Sequence, residues 1–159
     1  MASTGDIYNG PYASRAKEYV WSTLRSVFPR GITPTDIDGV VEINNCFFVF
    51  EGKTEGKKID KGQGLALRRM MMRWPETSAV FVVGEHPDLE CVDAITINRV
   101  QLAWREGNNL KWSEVINQKS ALTLAAERFV QDSATGALYP AAWCADWRAW
   151  EAPFTEASA

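Results

Sequence analysis

Two apolar stretches joined by an Asn-Asn pair constrain this chain more than any other feature. Val40-Val41-Glu42-Ile43 and Cys46 to Phe50 have the β-branched and aromatic content of strands, and Asn44-Asn45 between them tolerates positive φ in a two-residue hairpin turn. The turn sets the register. If Ile43 pairs with Cys46, then Val41 faces Phe48, Val40 faces Val49, and Asp38 lies opposite Glu51. Like charges directly opposite one another are unfavourable by roughly 0.2–1 kcal/mol, so two carboxylates meeting across a ladder call for a third party. A shared divalent cation is one. The unbroken run Phe47-Phe48-Val49-Phe50 marks the second strand as central, and ionisable groups at the end of a buried strand are seldom there for solubility.

Side chains alternate along a strand, so Glu51 and Lys53 share one face and Gly52 takes the other. The same register puts Asp36 opposite Lys53, and Asp36 competes with Asp38 as the first-strand acid; the turn favours Asp38. Two carboxylates at metal-sharing distance with an ammonium one step along suit metal-assisted phosphodiester hydrolysis, with Mg²⁺ or Mn²⁺ held by oxygen ligands and Lys53 positioning or activating the attacking water. Gly52 between them leaves room for substrate or metal to approach the backbone.

Other chemistries are poorly supplied. His86 is the only histidine of the 159 residues, which leaves two-histidine nucleases, zinc hydrolases of the His-Glu-x-x-His type and most catalytic triads without their imidazoles. Cys46, Cys91 and Cys144 are odd in number and widely spaced, arguing against a disulfide framework and a cysteine zinc site. With 46% hydrophobic and 23% charged residues, no apolar run near the roughly 20 residues of a membrane helix, and no signal-like start, the chain reads as a cytoplasmic globular protein that does not enter a membrane.

The net charge of −3 is wrong for a protein that coats nucleic acid, yet the stretch Glu51 to Arg73 holds seven bases against three acids. Lys57, Lys58, Lys61, Arg68 and Arg69 within it are candidate phosphate contacts, starting where the carboxylate hairpin ends. A merely solvated loop and helix face is the competing reading.

Periodicity predicts a helix over Tyr12 to Phe28, with Val20, Leu24, Val27 and Phe28 inward, stopped by Pro29 and Gly31. A second helix is expected from Asp60 to Arg73, with Gln63, Leu67 and Met70 on one face, then a strand covered on both faces at Ala79 to Val83 ending by His86-Pro87. Ala94 to Trp104 alternates as a further strand, Glu106-Gly107-Asn108-Asn109 signals a turn, and Leu110 to Trp112 is its hairpin partner. Ser120 to Val130 reads as a helix, and Trp143, Trp147 and Trp150 predict a short one from about Ala141 to Glu151, a packing stripe unless exposed for stacking on bases. Met70-Met71-Met72 reads as helix core and flank. The sum is one mixed α/β (α+β) domain over 1–159, a mixed central sheet flanked by helices, with 1–11 as a flexible N-terminus and 132–159 as a C-terminal helical extension.

The sequence resembles the PD-(D/E)xK nuclease superfamily, through Asp38, then thirteen residues on Glu51-Gly52-Lys53, between a helix and another that carries Gln63. The likeness covers about Tyr12 to Val83, and the shape of the hairpin resembles that of the archaeal Holliday-junction resolvases and the phage and restriction nucleases of that group. It implies a restriction-endonuclease-like core and a Mg²⁺- or Mn²⁺-dependent deoxyribonuclease leaving a 5′-phosphate. It further implies that Asp38 and Glu51 hold metal together with the Gly52 carbonyl, that Lys53 and Gln63 belong to the catalytic set, and that Glu18 matches an acidic helix residue some members add. The Pro-Asp dipeptide is absent, since Pro34 precedes Thr35, and Leu67 stands where one exonuclease-like branch has tyrosine. The resemblance allows a homodimer that cuts two strands, though no heptad or edge-strand signal establishes one. The alternative function is a silent nuclease-fold binding protein, an inhibitor or assembly factor such as a phage could encode, favoured by the acidic remainder of the chain.

Overall fold

Asn44 and Asn45 both adopt left-handed backbone, with φ of 51° and 62°, the conformation a two-residue turn between twisted strands requires. They join β1 (Gly39–Ile43) to β2 (Cys46–Thr54) as an antiparallel hairpin in which Ile43 pairs with Cys46, Val41 with Phe48 and Val40 with Val49, the register expected from the turn. Asn44 also donates from Nδ2 to the carbonyl of Ser133, 3.1 Å away, tying the turn to a helix end. In the computed structural model, residues 27–31, 37–87 and 93–150 are described, with the side chains of 148–150 excepted.

The chain divides into a unit Met1–Pro34 and a unit Thr35–Ala159. Of the first, a short 3-10 turn at Pro29–Gly31 is described, with Arg30 at φ 58°. The predicted helix lies mostly outside the described residues, but its last two positions differ from expectation: Val27 and Phe28 form a turn and bend and are exposed rather than packed inward. Residues 1–11 and Glu18 also lie outside the described residues.

In the second unit β2 leads through helix α1 (Lys61–Arg73) to β3 (Ala79–His86), which pairs parallel to β2. A parallel pair needs such a crossover, because the chain must return to the same end of the sheet. Then β4 (Arg99–Glu106) pairs antiparallel to β3, and β5 (Asn109–Trp112) returns along β4 by a turn in which Gly107 takes φ 59°. A further strand, β6 (Ile116–Asn117), pairs with the start of β4 and was not anticipated from its two residues. The spatial order β1-β2-β3-β4-β5, with β6 beside β4, makes a mixed six-stranded sheet. Helices α2 (Ala121–Ser133) and α3 (Pro140–Trp150) complete the unit.

The central strands β2, β3 and β4 are covered on both faces, while β1 and β5 at the edges are largely exposed. Cys46, Phe48, Val80, Val82, Val100 and Leu102 pack on one side against Leu122, Ala125 and Phe129 of α2 and Trp143 and Trp147 of α3. On the other, Val49, Ala79, Phe81 and Ala103 meet Leu67 and Met71 of α1. Each Val, Leu, Phe or Met among them contributes about 1.5–3 kcal/mol by leaving water, which explains why Ala79 to Val82 is uninterruptedly apolar. Trp143 and Trp147 thus belong to the main core, and the side chain of Trp150 lies outside the described residues.

Three expectations are corrected. Met71, not Met70, continues the buried stripe of α1, since after Gln63 and Leu67 the next inward position is four residues on. The strand expected from Ala94 starts at Arg99; Ala94–Thr96 is a 3-10 turn capped by Asp93, whose Oδ1 accepts from Ile95 N, and Ile95 is exposed. The parity of the apolar positions changes between Ile97 and Val100, which one strand cannot accommodate. Finally α2 runs past Val130 to Ser133, which is fully buried and donates from Oγ to the Val130 carbonyl, and the turn that follows ends at Gly136 with φ 81°. Asp132 in that last turn accepts from Tyr139 N (2.9 Å) and Trp143 Nε1 (2.7 Å), fastening the approach to α3.

Candidate active site

β2 outruns β1. Its partner strand begins at Gly39, paired with Phe50, so Glu51 to Thr54 keep β3 on one side and lose β1 on the other. Along β2 the odd residues direct their backbone toward β3, as Phe47 N→Ser78 O and Glu55 N→His86 O show at its two ends. A residue's N–H and C=O point to the same side of a strand, so those of Gly52 face the space beyond the start of β1. Asp38 fills part of that space. Its Oδ2 accepts a 2.6 Å hydrogen bond from Gly52 N.

Asp38 is therefore not a rung of the ladder opposite Glu51, as the register alone suggested. It sits in a bend just before β1, because Ile37 turns to pack against the α1-side core. The carboxylate is consequently directed at the amide following Glu51. Asp36, its competitor, lies outside the described residues.

Glu51 is 5% exposed. On the α1 face of the sheet, its Oε1 lies 2.8 Å from Lys53 Nζ, while its buried Oε2 has no hydrogen-bond partner. Buried polar atoms are nearly always satisfied, and for a carboxylate oxygen the cost of leaving water unpaired is several kcal/mol on the order of a lost charge-assisted bond. The third group, Gln63, is buried at the head of the stripe that continues through Leu67 and Met71. Asp60 starts that helix as its N-cap, accepting from Gln63 N at 2.8 Å. A β-α-β crossover runs its helix antiparallel to its strands, so the first turn of α1, with Gln63, stands at the end of the sheet where Glu51 and Lys53 lie. Among the described residues no three or more His, Cys, Asp or Glu side chains are grouped to hold a metal ion; the hard oxygens on hand are those of Asp38, Glu51 and the Gly52 carbonyl.

Beside this corner opens a cleft of about 530 Å³, lined by Lys53, Lys57, Lys58, Ile59, Asp60, Lys61, Val83, Glu85, Arg99, Gln101, Trp112 and Val115 among others. Lys53 thus borders both the Glu51 carboxylate and the cleft. Of the five bases singled out in the sequence, Lys57, Lys58 and Lys61 line it; Arg68 and Arg69 are exposed on α1 outside its lining. Arg99 and Trp112 were missed because β3 and β4 bring them in from a distant part of the chain: Arg99 pairs with Glu85 across the ladder, its Nε 4.0 Å from Glu85 Oε1. The one available signal was a tryptophan in the short hairpin strand Asn109–Trp112.

The chain matches no protein-family model, no curated protein and no solved structure. Among the described residues no helix is long and apolar enough to cross a membrane.

Proposed function

We propose that this protein is a metal-dependent nuclease that hydrolyses phosphodiester bonds of DNA at the corner formed by Asp38, Glu51, Gly52 and Lys53. The observation that carries the reading is Glu51: a carboxylate withdrawn from water with one oxygen on Lys53 and the other unsatisfied. A donor set of two carboxylates and a backbone carbonyl is of the hard-oxygen kind suited to Mg²⁺ or Mn²⁺. Asp38, Glu51 and the Gly52 carbonyl would hold such an ion, which when bound supplies Lewis-acid polarisation of the phosphate and an acidified water.

The remaining work falls to the chain's own groups. Lys53 keeps a positive charge beside Glu51 and at the edge of the cleft, where it can orient a water or offset charge on a phosphate. Lys57, Lys58 and Lys61 would draw the DNA backbone into register with that corner. The antiparallel hairpin followed by a helical crossover to a parallel strand, with acids at the shared strand end, supports a restriction-endonuclease-like core and the PD-(D/E)xK resemblance. The second reading, a silent binding protein, draws support from the same atoms: Asp38 already has the Gly52 amide, and Glu51 already has Lys53.

Supercoiled plasmid with Mg²⁺ or Mn²⁺ distinguishes the two. Nicking that falls roughly 10²-fold or more in Asp38→Asn, Glu51→Gln and Lys53→Met is expected from the loss of a catalytic group. Absence of cutting on plasmid, linear, branched and single-stranded DNA with either ion rejects the enzyme, and cutting that survives Glu51→Gln puts the site elsewhere.

A further inference from the structure

We infer that the cleft beside the carboxylate corner receives an unpaired nucleotide of a DNA strand, its base stacked on Trp112 and its phosphates held by Lys57, Lys58, Lys61 and Arg99. The inference rests on the nuclease reading for the identity of the polymer, but it turns on Trp112 and Arg99, which that reading does not use. A volume of about 530 Å³ is in the range of pockets that enclose a small organic ligand, about 300–1,000 Å³. The rim is cationic, with Arg99 only loosely engaged by Glu85 at 4.0 Å.

Cations alone would favour any nucleic acid. The aromatic in the same cleft does not. Trp112 is 45% exposed, a large apolar surface left in water at the edge of a cationic cleft. Its plane is held by an edge-on contact with Phe81, ring centroids 6.0 Å apart at 79°. Its backbone is held as well: the next residue, Ser113, donates from N to the Leu102 carbonyl at 2.8 Å and accepts at Oγ from Leu102 N at 2.9 Å. A rigidly mounted, half-exposed indole costs little to immobilise when a planar ligand covers it. Bases inside a duplex present only their edges, so a stacking platform within a cleft is accessible to an unpaired base alone.

Lys53 lines the cleft and also contacts Glu51, so a strand threaded through it passes the carboxylates. That continuity would make strand ends, flaps or unpaired junction arms the preferred substrates over intact duplex.

The test is fluorescence anisotropy with fluorescein-labelled oligo(dT) and with a blunt hairpin duplex of equal length, in EDTA so that no cutting intervenes. The wild-type chain is expected to prefer the single strand. Trp112→Ala should weaken oligo(dT) binding by about 5- to 150-fold, the range set by the loss of one base–aromatic stack, while Trp112→Phe retains most of it and duplex binding is unchanged by either. Circular dichroism checks that both variants fold, and if Trp112→Ala does not, Trp112→Phe against Trp112→Leu gives the same comparison of ring with no ring. Equal affinity for both DNAs, or the same loss for both on removing the ring, overturns the inference. A chain that binds oligo(dT) through Trp112 but cuts nothing with Mg²⁺ leaves the inference standing and the nuclease reading fallen; one that cuts but is indifferent to Trp112 does the reverse.

Discussion

Lys53 Nζ sits 2.8 Å from Glu51 Oε1, two residues apart on one face of β2, and the carboxylate is the more deeply buried of the two, with 7% of its side chain exposed against 20% for the lysine. Removing the lysine takes away the counter-charge and leaves both carboxylate oxygens unsatisfied, since Oε2 has no partner to begin with. Breaking a fully buried pair costs about 3–5 kcal/mol; with a fifth of the lysine in solvent, Lys53→Met is expected to cost about 2 kcal/mol. Glu51→Gln should cost less, and the double variant less than the sum, because the amide needs no counter-charge. Urea denaturation of the four chains gives the coupling directly. A coupling near zero would mean that the two groups do not depend on one another.

On the nuclease reading, Glu51 and Asp38 would hold a divalent ion only in the folded chain. Linkage then raises stability by about 2.7 kcal/mol at a hundredfold excess over Kd, a shift of several degrees in Tm for a chain of this size. Thermal unfolding with and without Mn²⁺ should show it for the wild type and for Lys57→Ala, and lose it in Glu51→Gln and Asp38→Asn. The same shift in all four chains would place the ion elsewhere.

The hairpin was legible because its information is local: two asparagines that tolerate positive φ fix the turn, and the turn fixes every pair from Ile43 with Cys46 to Gly39 with Phe50. The α1 start was legible for the same reason, Asp60 being a capping residue ahead of an apolar period. What escaped depends on partners distant in sequence. Ile95 stays out of a strand where its carbonyl accepts from Ser120 Oγ and that of Ile97 accepts from Leu122 N, and α2 reaches Ser133 because its last turn is enclosed by the turn of the hairpin and the approach to α3. At the site, Asp38, Glu51 and Lys53 lie within one hairpin and could be read together. The turn that brings Trp112 back along β4 was legible, but Arg99 and Trp112 join the site only through the pairing of β4 with β3, which no spacing encodes.

Gly84 holds the backbone of β3 close to Phe50. A Cβ there would lie 2.8 Å from Phe50 Cε2 and 3.0 Å from Ile97 Cγ2, a clash that a flexible chain end could absorb but a packed ring cannot without moving its strand. Gly84→Ala is expected to destabilise by about 1–3 kcal/mol, the usual cost of overpacking. Phe50 precedes Glu51, so the displacement should reach the carboxylate and lower plasmid nicking as well. Phe50→Leu in the Gly84→Ala background makes room and should restore much of the stability. If it restores none, the ring is not what the glycine accommodates.

Cys46 couples the hairpin to pH. Its thiol is fully buried where β2 begins, and its pKa is raised, chiefly by that burial and further by the negative charges of Glu42 and Asp132. The unfolded chain ionises this thiol near its ordinary value of about 8.5, whereas the folded chain keeps it protonated to higher pH. Below that ordinary value the group costs nothing. Above it, ionisation stabilises the unfolded state, and stability falls by up to about 1.4 kcal/mol per pH unit until the folded thiol also titrates. Denaturation at pH 7, 8, 9 and 10 should therefore show wild type losing stability relative to Cys46→Ala only over the alkaline points, with the other two cysteines cancelling between the chains. A constant difference across the series would mean that the buried thiol ionises as readily in the folded state as in the unfolded one.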